Sequence, residues 1–215
     1  MTAVGILGGT FDPIHHGHLR LALEMAAALE LAAVRLLPLH TPPHREPPIS
    51  SPELRLRMLL AAIAGQKTLL ADDRELKRQG ISYTVDTLAE FRREDAEIPL
   101  CLILGMDAFL SLPSWRHWEQ IIDLAHIAVA HRLDAGPSTP ALLSEFLDRH
   151  RSDDPKELHR TRAGRVYFAA LPVLEISASG IRERIAAGAN VHFLLPEPVL
   201  QLIHRHGLYR TANPL

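Results

Sequence analysis

A glycine-rich turn near the start of the chain, residues 8–18, holds the side chains best suited to bind a phosphate group. The apolar run before it, residues 4–7, predicts a buried strand, and leucine and alanine recur at helical spacing over residues 19–31. Gly8 and Gly9 carry no Cβ, so a ligand can approach the backbone there. The N–H groups that open a helix have no partner within it, and a phosphate is their natural ligand. The pattern therefore predicts a phosphate-binding strand, turn and helix.

Two histidines in this turn, His15 and His18, are the candidate side-chain donors. Because they are three residues apart, they can lie on one face of the first helical turn, near the same phosphate. A helix N-terminus disfavours a protonated imidazole, whereas a bound polyanion favours one. We expect the anion to dominate in the complex, so that both rings donate hydrogen bonds to phosphate oxygens.

Three common nucleotide-binding and metal-binding motifs do not match this turn. Gly8, Gly9 and Gly17 lack the G-x-G-x-x-G spacing of dinucleotide-binding folds, and no acidic residue follows the next strand where ribose recognition requires one. No Gly-Lys-Ser/Thr follows Gly9, which excludes a Walker loop. A zinc site on Asp12 and the histidines would lack the H-E-x-x-H spacing, so we expect no metal held by protein side chains alone.

A second candidate phosphate-binding segment, Ile-Ser-Ala-Ser-Gly-Ile-Arg, occupies residues 176–182. Ser179 stands where a helix N-cap is expected, and Arg182 follows within one turn. A capping box needs an acidic residue three positions after the cap, and Glu183 comes one position late. We therefore expect the Ser179 hydroxyl to be available to a ligand. The alternative is an ordinary serine cap beside a surface arginine.

Polar residues next to other predicted elements are further candidates. Asp107 follows Gly105 at the end of a predicted strand, where a carboxylate can accept hydrogen bonds from ribose hydroxyls; capping the next helix is the alternative. Residues 82–84, Ser-Tyr-Thr, precede a predicted helix, whose N-terminus accepts carboxylates as readily as phosphates. Trp115 lies among prolines and serines, which favours a loop position where its ring can stack on another flat ring, over burial in the core.

A proline-rich loop, residues 42–45, follows the second predicted strand. Its prolines stiffen the backbone, so His44 and Arg45 present hydrogen-bond donors at fixed positions. The alternative is a solvated basic loop.

The block G-G-x-F-D-P-x-H-x-G-H-L over residues 8–19 resembles that of the class I nucleotidylyltransferases, which share an H-x-G-H signature. Over essentially its whole length the chain is similar to the bacterial nicotinate-nucleotide adenylyltransferase family. This resemblance implies that ATP and nicotinate mononucleotide react to give nicotinic acid adenine dinucleotide and pyrophosphate, in the biosynthesis of NAD. It also implies that Mg²⁺ is carried in with the ATP phosphates.

The resemblance implies a role for each candidate residue. The residues implied to bind ATP are Gly8, Gly9, Thr10, Phe11, His15, His18, Gly105, Asp107, Ser177, Ser179 and Arg182. Those implied to bind nicotinate mononucleotide are His44, Arg45, Tyr83, Thr84, Trp115 and Arg132. The implied catalytic residues are His15, His18 and Arg182, which stabilise charge, since the attacking phosphate oxygen is already anionic and needs no general base. The chain departs from the family pattern at Ser179, where Thr is common, at His40, where Asn is common, and after Arg132, where Pro-Gly usually follows.

Two other functions are compatible with the same segments. A sister adenylyltransferase that acts on nicotinamide mononucleotide or phosphopantetheine would share the histidine and Ser/Arg segments but not Thr84 and Trp115. A nucleotide-binding module without catalysis would have no evident need of His15, His18 and Arg182 together.

Alternating apolar runs and helical patterns predict the elements that must position these residues. The runs predicted as parallel strands buried on both faces are residues 4–7, 34–38, 68–71, 100–105, 127–130 and 166–170. The predicted helices are residues 19–31, 53–64, 85–93, 118–123, 141–149, 181–187 and 198–206. The alternation predicts an α/β fold, a doubly wound, Rossmann-like parallel sheet with helices on both faces and a ligand crevice at the carboxyl ends of the strands. We expect one nucleotidylyltransferase domain over residues 1–215, with a small helical C-terminal subdomain from about residue 177, and a surface excursion over residues 133–165.

Composition excludes several other classes of protein. A net charge of −2 over 215 residues argues against a nucleic-acid-binding surface. The single cysteine, Cys101, lies in an apolar run, which predicts a core residue, and one cysteine allows no disulfide within the chain. No apolar stretch is long enough to span a membrane, so we expect no membrane contact and a cytoplasmic location. A homo-oligomer is compatible with the sequence, which sets no stoichiometry.

Overall fold

The computed structural model describes residues 1–43, 47–131, 141–172 and 174–210. Within these residues, six strands form one parallel sheet in the order β3-β2-β1-β4-β5-β6. The strands are β1 Val4–Gly9, β2 Ala33–Pro38, β3 Leu69–Ala71, β4 Leu100–Gly105, β5 His126–His131 and β6 Val166–Ala170. Each apolar run predicted as a strand is one of these six, and the doubly wound, Rossmann-like sheet is confirmed.

The helices that connect these strands include all seven that the sequence predicts. They are α1 His16–Ala28, α2 Pro52–Ala62, α3 Arg74–Arg78, α4 Thr84–Glu94, α5 Met106–Leu110, α6 Trp118–Leu124, α7 Ala141–His150, α8 Glu157–Arg160, α9 Ala178–Ala186 and α10 Glu197–Arg205, with a 3-10 helix at Leu112–Ser114. Helices α3, α5 and α8 were not predicted, because four or five residues are too few to show a helical period. Among the described residues, no helix combines the length and the apolar character that crossing a membrane requires.

Two hydrophobic clusters cover the two faces of the sheet. Alternate residues of β4 belong to opposite clusters: Cys101 and Ile103 lie in the first, and Leu102 and Leu104 lie in the second. Helices α1, α2, α8, α9 and α10 contribute to the first cluster, and α4, α5, α6 and α7 to the second. Burial raises the pKa of the Cys101 thiol to about 12, so it is a core residue, as the sequence predicts.

The strand order reverses between β1 and β4, which pair side by side in the middle of the sheet. Helix α1 follows β1 on the face of the first cluster, whereas α5 follows β4 on the face of the second. The two connections therefore diverge and leave a crevice at the carboxyl ends of β1 and β4, the usual ligand site of such sheets. Gly9 ends β1 and Gly105 ends β4, so both border this crevice.

The C-terminal helices pack on the same face as α1 and α2. Ile181 of α9 and Val199, Leu200 and Ile203 of α10 are buried in the first cluster. Helix α10 contacts α2, and the carbonyl of Leu194, before α10, accepts the N–H of His16 at 3.0 Å. The segment before α10 is thereby held against the beginning of α1.

Candidate active site

The glycine-rich turn leaves β1 through a tight bend at Phe11. Phe11 has a φ of 50°, a left-handed conformation uncommon for a bulky residue, and its ring is buried. The ring lies where a side chain on Gly9 would be, since a Cβ there would approach Phe11 Cε1 to 2.6 Å. A Cβ on Gly8 would meet nothing closer than a Leu39 methyl group at 3.9 Å. Gly9 is thus required by the protein's own packing, a reason beyond the ligand approach that the sequence predicts.

The two histidines lie together, as their spacing predicts. The rings of His15 and His18 stack with centroids 3.7 Å apart, and the edge of Phe11 packs against His18 at 5.0 Å. His15 is the N-cap of α1, and its carbonyl accepts the N–H groups of His18 and Leu19. Burial and, secondarily, the nearby charge of His16 lower the pKa of His15 to about 4, so this ring is neutral at pH 7 in the protein without a ligand.

The backbone at the start of α1 is less available than the sequence suggests. The N–H of His16 donates to the Leu194 carbonyl, and the N–H of His18 donates to the His15 carbonyl. The prediction that these two N–H groups lack a partner within the protein is therefore wrong. The segment before α10 supplies the acceptor for His16, and the N-cap residue supplies the acceptor for His18. His15 Nδ1 is buried and has no hydrogen-bond partner among the described residues, and such an atom in a native protein usually meets a ligand or water. At the start of α1 the amides of His16 and His18 are thus already paired, whereas the buried Nδ1 of His15 is not.

The second phosphate-binding segment begins α9, and its cap differs from the prediction. Ser177, not Ser179, is the N-cap: its backbone is extended and its Oγ accepts the N–H of Gly180 at 3.1 Å. Both serines are able to cap, and the N-cap lies two residues earlier than expected because Ala178 and Ser179 already have helical geometry. The Ser179 hydroxyl is exposed in the first turn and donates to Ser177 Oγ at 3.3 Å.

Arg182 joins the two predicted segments into one site. Its Nη1 donates to the carbonyl of Asp12 at 2.8 Å, across 170 positions of sequence. Close to this contact, a Cβ on Gly17 would lie 3.2 Å from the Ile176 carbonyl oxygen and 3.0 Å from the His15 ring, so the two segments touch. The imidazole pair, the start of α9 and the Arg182 guanidinium therefore occupy one region at the end of β1.

The end of β4 supplies the candidate ribose-binding carboxylate. Gly105 is the N-cap of α5, so Asp107 lies in the first turn of that helix and does not cap it. The alternative role of Asp107 as a helix cap is thereby excluded. Its side chain is exposed, and a Cβ built on Gly105 would meet no other described atom within 4 Å. This edge of the crevice is open enough to take a ligand.

Several candidate residues for binding nicotinate mononucleotide lie around the start of α4. Tyr83 is the N-cap of α4 and Thr84 its first residue, so the helix begins one residue before the predicted start at residue 85. The Arg116 guanidinium lies over the Tyr83 ring at 4.6 Å. Trp115 is half-buried directly after the 3-10 helix, whereas Trp118 is buried against Phe146 in the second cluster.

Ser82, the residue before Tyr83, ties this segment to the loop after β2. Its N–H donates to the Thr41 carbonyl at 2.9 Å, and its Oγ accepts the His40 N–H at 3.0 Å. This loop leads directly to His44 and Arg45. Those two residues and Arg132, which follows the last residue of β5, lie outside the described residues.

One buried arginine that the sequence did not single out links the loops of the site. Arg55 of α2 is fully buried and donates to four carbonyl groups: Thr10 at 2.8 Å, Leu39 at 2.5 Å, His40 at 3.1 Å and Ser50 at 3.3 Å. Its guanidinium therefore connects the turn after β1 with the loop after β2. Arg55 carries no local signature, because a charged residue within a helical pattern normally lies on the solvated face.

The glycine-rich turn contains a buried carboxylate, that of Asp12, whose structural role the sequence did not predict. Asp12 is 3% exposed, and its Oδ2 accepts the Ile49 N–H at 2.8 Å. Its Oδ1 accepts the Ser50 N–H at 3.2 Å and the Tyr209 hydroxyl at 2.5 Å. The carboxylate that the sequence considers as a metal ligand is therefore occupied by protein donors.

A second buried carboxylate supports the start of α4. Glu75 accepts a hydrogen bond from Thr87 Oγ1 at 2.6 Å, and Arg78 donates to the same hydroxyl at 2.9 Å and to Glu90 at 2.8 Å. Burial raises the pKa of Glu75. These contacts hold α3 against α4 behind the Tyr83 and Thr84 segment.

Comparison with known proteins identifies the family. Residues 6–184 match the family described as Cytidylyltransferase-like. A relative from Aeromonas hydrophila, named "Probable nicotinate-nucleotide adenylyltransferase", is 49% identical over 97% of this chain and 98% of its own length. A relative of the same name from Methylococcus capsulatus is 46% identical over 96% of this chain and 99% of its own.

Solved structures share the fold. The structure titled "Plasmodium falciparum nicotinic acid mononucleotide adenylyltransferase complexed with NaAD" matches with a TM-score of 0.75 and 15% identity, over 97% of this chain and 98% of that chain. The same enzyme complexed with APC matches with a TM-score of 0.73. At this level of identity the likeness shows the fold, and the relatives of high identity show the family. The chain belongs to the nicotinate-nucleotide adenylyltransferases, within the cytidylyltransferase-like family.

Proposed function

We propose that the crevice at the carboxyl ends of β1 and β4 is where this chain transfers the adenylyl group of ATP to nicotinate mononucleotide. The observation that carries the proposal is the hydrogen bond from Arg182 to the Asp12 carbonyl, which unites the histidine turn with the start of α9. Donors from both segments then surround one region, as binding a polyphosphate requires.

In this proposal the nucleophile is a phosphate oxygen of nicotinate mononucleotide. It attacks the α-phosphorus of ATP, the bond from that phosphorus to the bridging oxygen breaks, and pyrophosphate leaves with the electron pair. No proton is removed from the nucleophile, so the protein's task is to position two polyanions and to stabilise the leaving charge. His15, His18, Ser177, Ser179 and Arg182 are the proposed donors to the triphosphate.

The ribose and the pyridine ring have separate candidate partners. Asp107 is proposed to accept a ribose hydroxyl, because its carboxylate is exposed at the end of β4 and caps no helix. Tyr83 and Thr84 are proposed to receive the nicotinate carboxylate at the N-terminus of α4, and Trp115 to stack on the ring. His44, Arg45 and Arg132 are proposed to contact the acceptor phosphate on the basis of the sequence.

A divalent cation, which we propose to be Mg²⁺, enters as part of the ATP complex. The acidic residue of the turn, Asp12, already accepts three protein donors, so the phosphate oxygens are the better ligands for the ion. We also infer a single nucleotidylyltransferase domain, because α9 and α10 share one hydrophobic cluster with α1 and α2. We also propose a cytoplasmic location, which the buried, unpaired thiol of Cys101 supports.

Pyrophosphate release tests the proposal directly. The protein is incubated with ATP and Mg²⁺ and with nicotinate mononucleotide, nicotinamide mononucleotide or phosphopantetheine in turn. We expect rapid release with the first acceptor and much slower release with the other two. Preference for nicotinamide mononucleotide or phosphopantetheine would replace the acceptor assignment, and binding of ATP without any release would contradict catalysis at this site.

A further inference from the structure

Tyr209, far along the chain from the glycine-rich turn, forms a hydrogen bond with that turn. Its ring is buried in the first cluster and its hydroxyl lies 2.5 Å from Asp12 Oδ1, a contact between residues 197 positions apart. Tyr209 has a φ of 61°, a left-handed conformation that a bulky residue adopts only where its surroundings impose it. The structure thus holds this backbone in an uncommon conformation while the hydroxyl reaches Asp12.

The hydrogen atoms of this contact can be assigned. A carboxylate is only an acceptor, so the Tyr209 hydroxyl must donate to Asp12. That hydroxyl has one hydrogen atom, and Ser50 Oγ, 2.7 Å away, therefore donates to the Tyr209 oxygen. Burial and the Asp12 charge both raise the pKa of Tyr209, so the phenol keeps its proton.

Asp12 links Tyr209 to Arg182, because its side-chain carboxylate contacts the first residue and its main-chain carbonyl contacts the second. Its side chain is fixed by Tyr209 and by the N–H groups of Ile49 and Ser50, while its carbonyl oxygen accepts Arg182 Nη1 at 2.8 Å. A change in the side-chain anchor tilts the same residue's peptide group, and with it the acceptor that orients the guanidinium. A charged donor in such a site loses much of its effect if it moves by about 1 Å.

We propose that Tyr209 is a positioning residue for the reaction: through Asp12 it sets the place from which Arg182 acts on the phosphates. The hydroxyl group, rather than the ring, is what performs this role, because the ring serves the core and the hydroxyl makes the contact with Asp12. The inference rests on the phosphate-binding role proposed above for Arg182.

The test is a double-mutant cycle between Tyr209→Phe and Arg182→Ala. Turnover is measured as pyrophosphate release at saturating ATP and nicotinate mononucleotide, and KM is measured for each substrate. In the wild-type background we expect Tyr209→Phe to lower kcat by roughly tenfold to a hundredfold, the loss typical of a misplaced catalytic group. In the Arg182→Ala background we expect the same change to lower kcat by less than about twofold, because the group it positions is gone.

Matched controls separate positioning from loss of structure. Tyr167→Phe, in edge strand β6, removes a phenol hydroxyl elsewhere and should leave kcat unchanged. Thermal unfolding of each variant reports whether it is folded. If Tyr209→Phe does not fold, Ser50→Ala replaces it in the cycle, since it removes the donor to the phenol oxygen and leaves the Tyr209 side chain intact.

The outcomes distinguish the two proposals. A folded Arg182→Ala variant with wild-type kcat would overturn the role proposed for Arg182, and the role of Tyr209 with it. An impaired Arg182→Ala variant in which Tyr209→Phe causes the same further loss as in the wild type would overturn only the inference about Tyr209. An unchanged kcat in Tyr209→Phe alone would overturn it as well.

Discussion

At the scale of single residues, His15 ties the stability of the protein to pH. Its pKa falls from 6.5 to about 4 on folding because the ring is buried. Between these values the unfolded chain binds a proton that the folded protein excludes. The contribution of this residue to stability is therefore complete above pH 6.5 and is lost as the pH falls towards 4.

When the pH is lowered from 7 to 5, we expect the free energy of unfolding to fall by about 2 kcal/mol because of His15. Denaturant titrations of the wild type and of His15→Gln at both pH values measure this, because the other histidines titrate in both proteins and cancel in the difference. The substitution should flatten the pH dependence by that amount. An equal pH dependence in the two proteins would show that folding does not lower the pKa of His15.

His18 is expected to act on the rate and not on the fold. Its ring stacks on His15 but is only half-buried, so truncation leaves the core intact. Removing one donor that stabilises developing charge costs roughly 3 kcal/mol, so His18→Ala should lower kcat about a hundredfold or more with an unchanged far-UV spectrum. His16→Ala, on the adjacent position, is the control and should retain kcat. A His18→Ala enzyme as active as the wild type would remove His18 from the proposed mechanism.

At the scale of elements, the bend after β1 depends on one missing side chain. A Cβ on Gly9 would lie 2.6 Å from the Phe11 ring, whereas a Cβ on Gly8 would make an ordinary contact at 3.9 Å. We expect Gly9→Ala to lower the free energy of unfolding by about 1–3 kcal/mol, the usual cost of overpacking. Gly8→Ala should cost much less, and thermal or chemical unfolding of the pair measures the difference. Equal losses would mean that the Phe11 ring moves aside freely.

Elements were predictable from sequence where their signal is local. The six strands appear as apolar runs because they are buried on both faces. The apolar composition of residues 100–105, for example, predicts a buried strand without any knowledge of its neighbours in space. The N-cap of α9 was misplaced by two residues because Ser177 and Ser179 both satisfy the preferences of an N-cap. Propensity does not choose between two such serines, whereas the packing of Ile181 into the first cluster fixes the register of the helix.

At the scale of the whole molecule, Arg55 connects the two loops that we propose to meet the two substrates. It donates to Thr10 after β1 and to Leu39 and His40 after β2, and it carries a buried charge whose pKa is lowered by burial. Lysine keeps the charge but lacks the planar fork that reaches several carbonyl groups. We expect Arg55→Lys to lower the free energy of unfolding by roughly 2–4 kcal/mol and to raise KM for both ATP and nicotinate mononucleotide.

The matched control for this change is Arg57→Lys, two residues further along α2 and exposed to solvent. It should leave stability and both KM values near those of the wild type. A rise in KM for only one substrate in Arg55→Lys would show that this residue serves one loop and does not couple the two.

The contacts that complete the site could not be predicted, because each joins segments far apart in sequence. The glycine-rich turn and Arg182 carry recognisable spacing, so they could be singled out as candidates from the chain alone. Arg55 and Tyr209 have no such spacing, and their partners are backbone carbonyls and a carboxylate that only the folded chain brings near. The contacts of Asp12 were not predicted for the same reason: its neighbours in space are not its neighbours in sequence.

The hydrogen bond between Asp12 and Tyr209 also sets the order in which the site can be completed during protein synthesis. The glycine-rich turn leaves the ribosome before Tyr209, which lies 197 residues further along the chain. A nascent chain can therefore assemble β1 to β6 before the segment that anchors the turn has emerged. A chain whose synthesis stops before Tyr209 would therefore carry the sheet without the contact that anchors the glycine-rich turn.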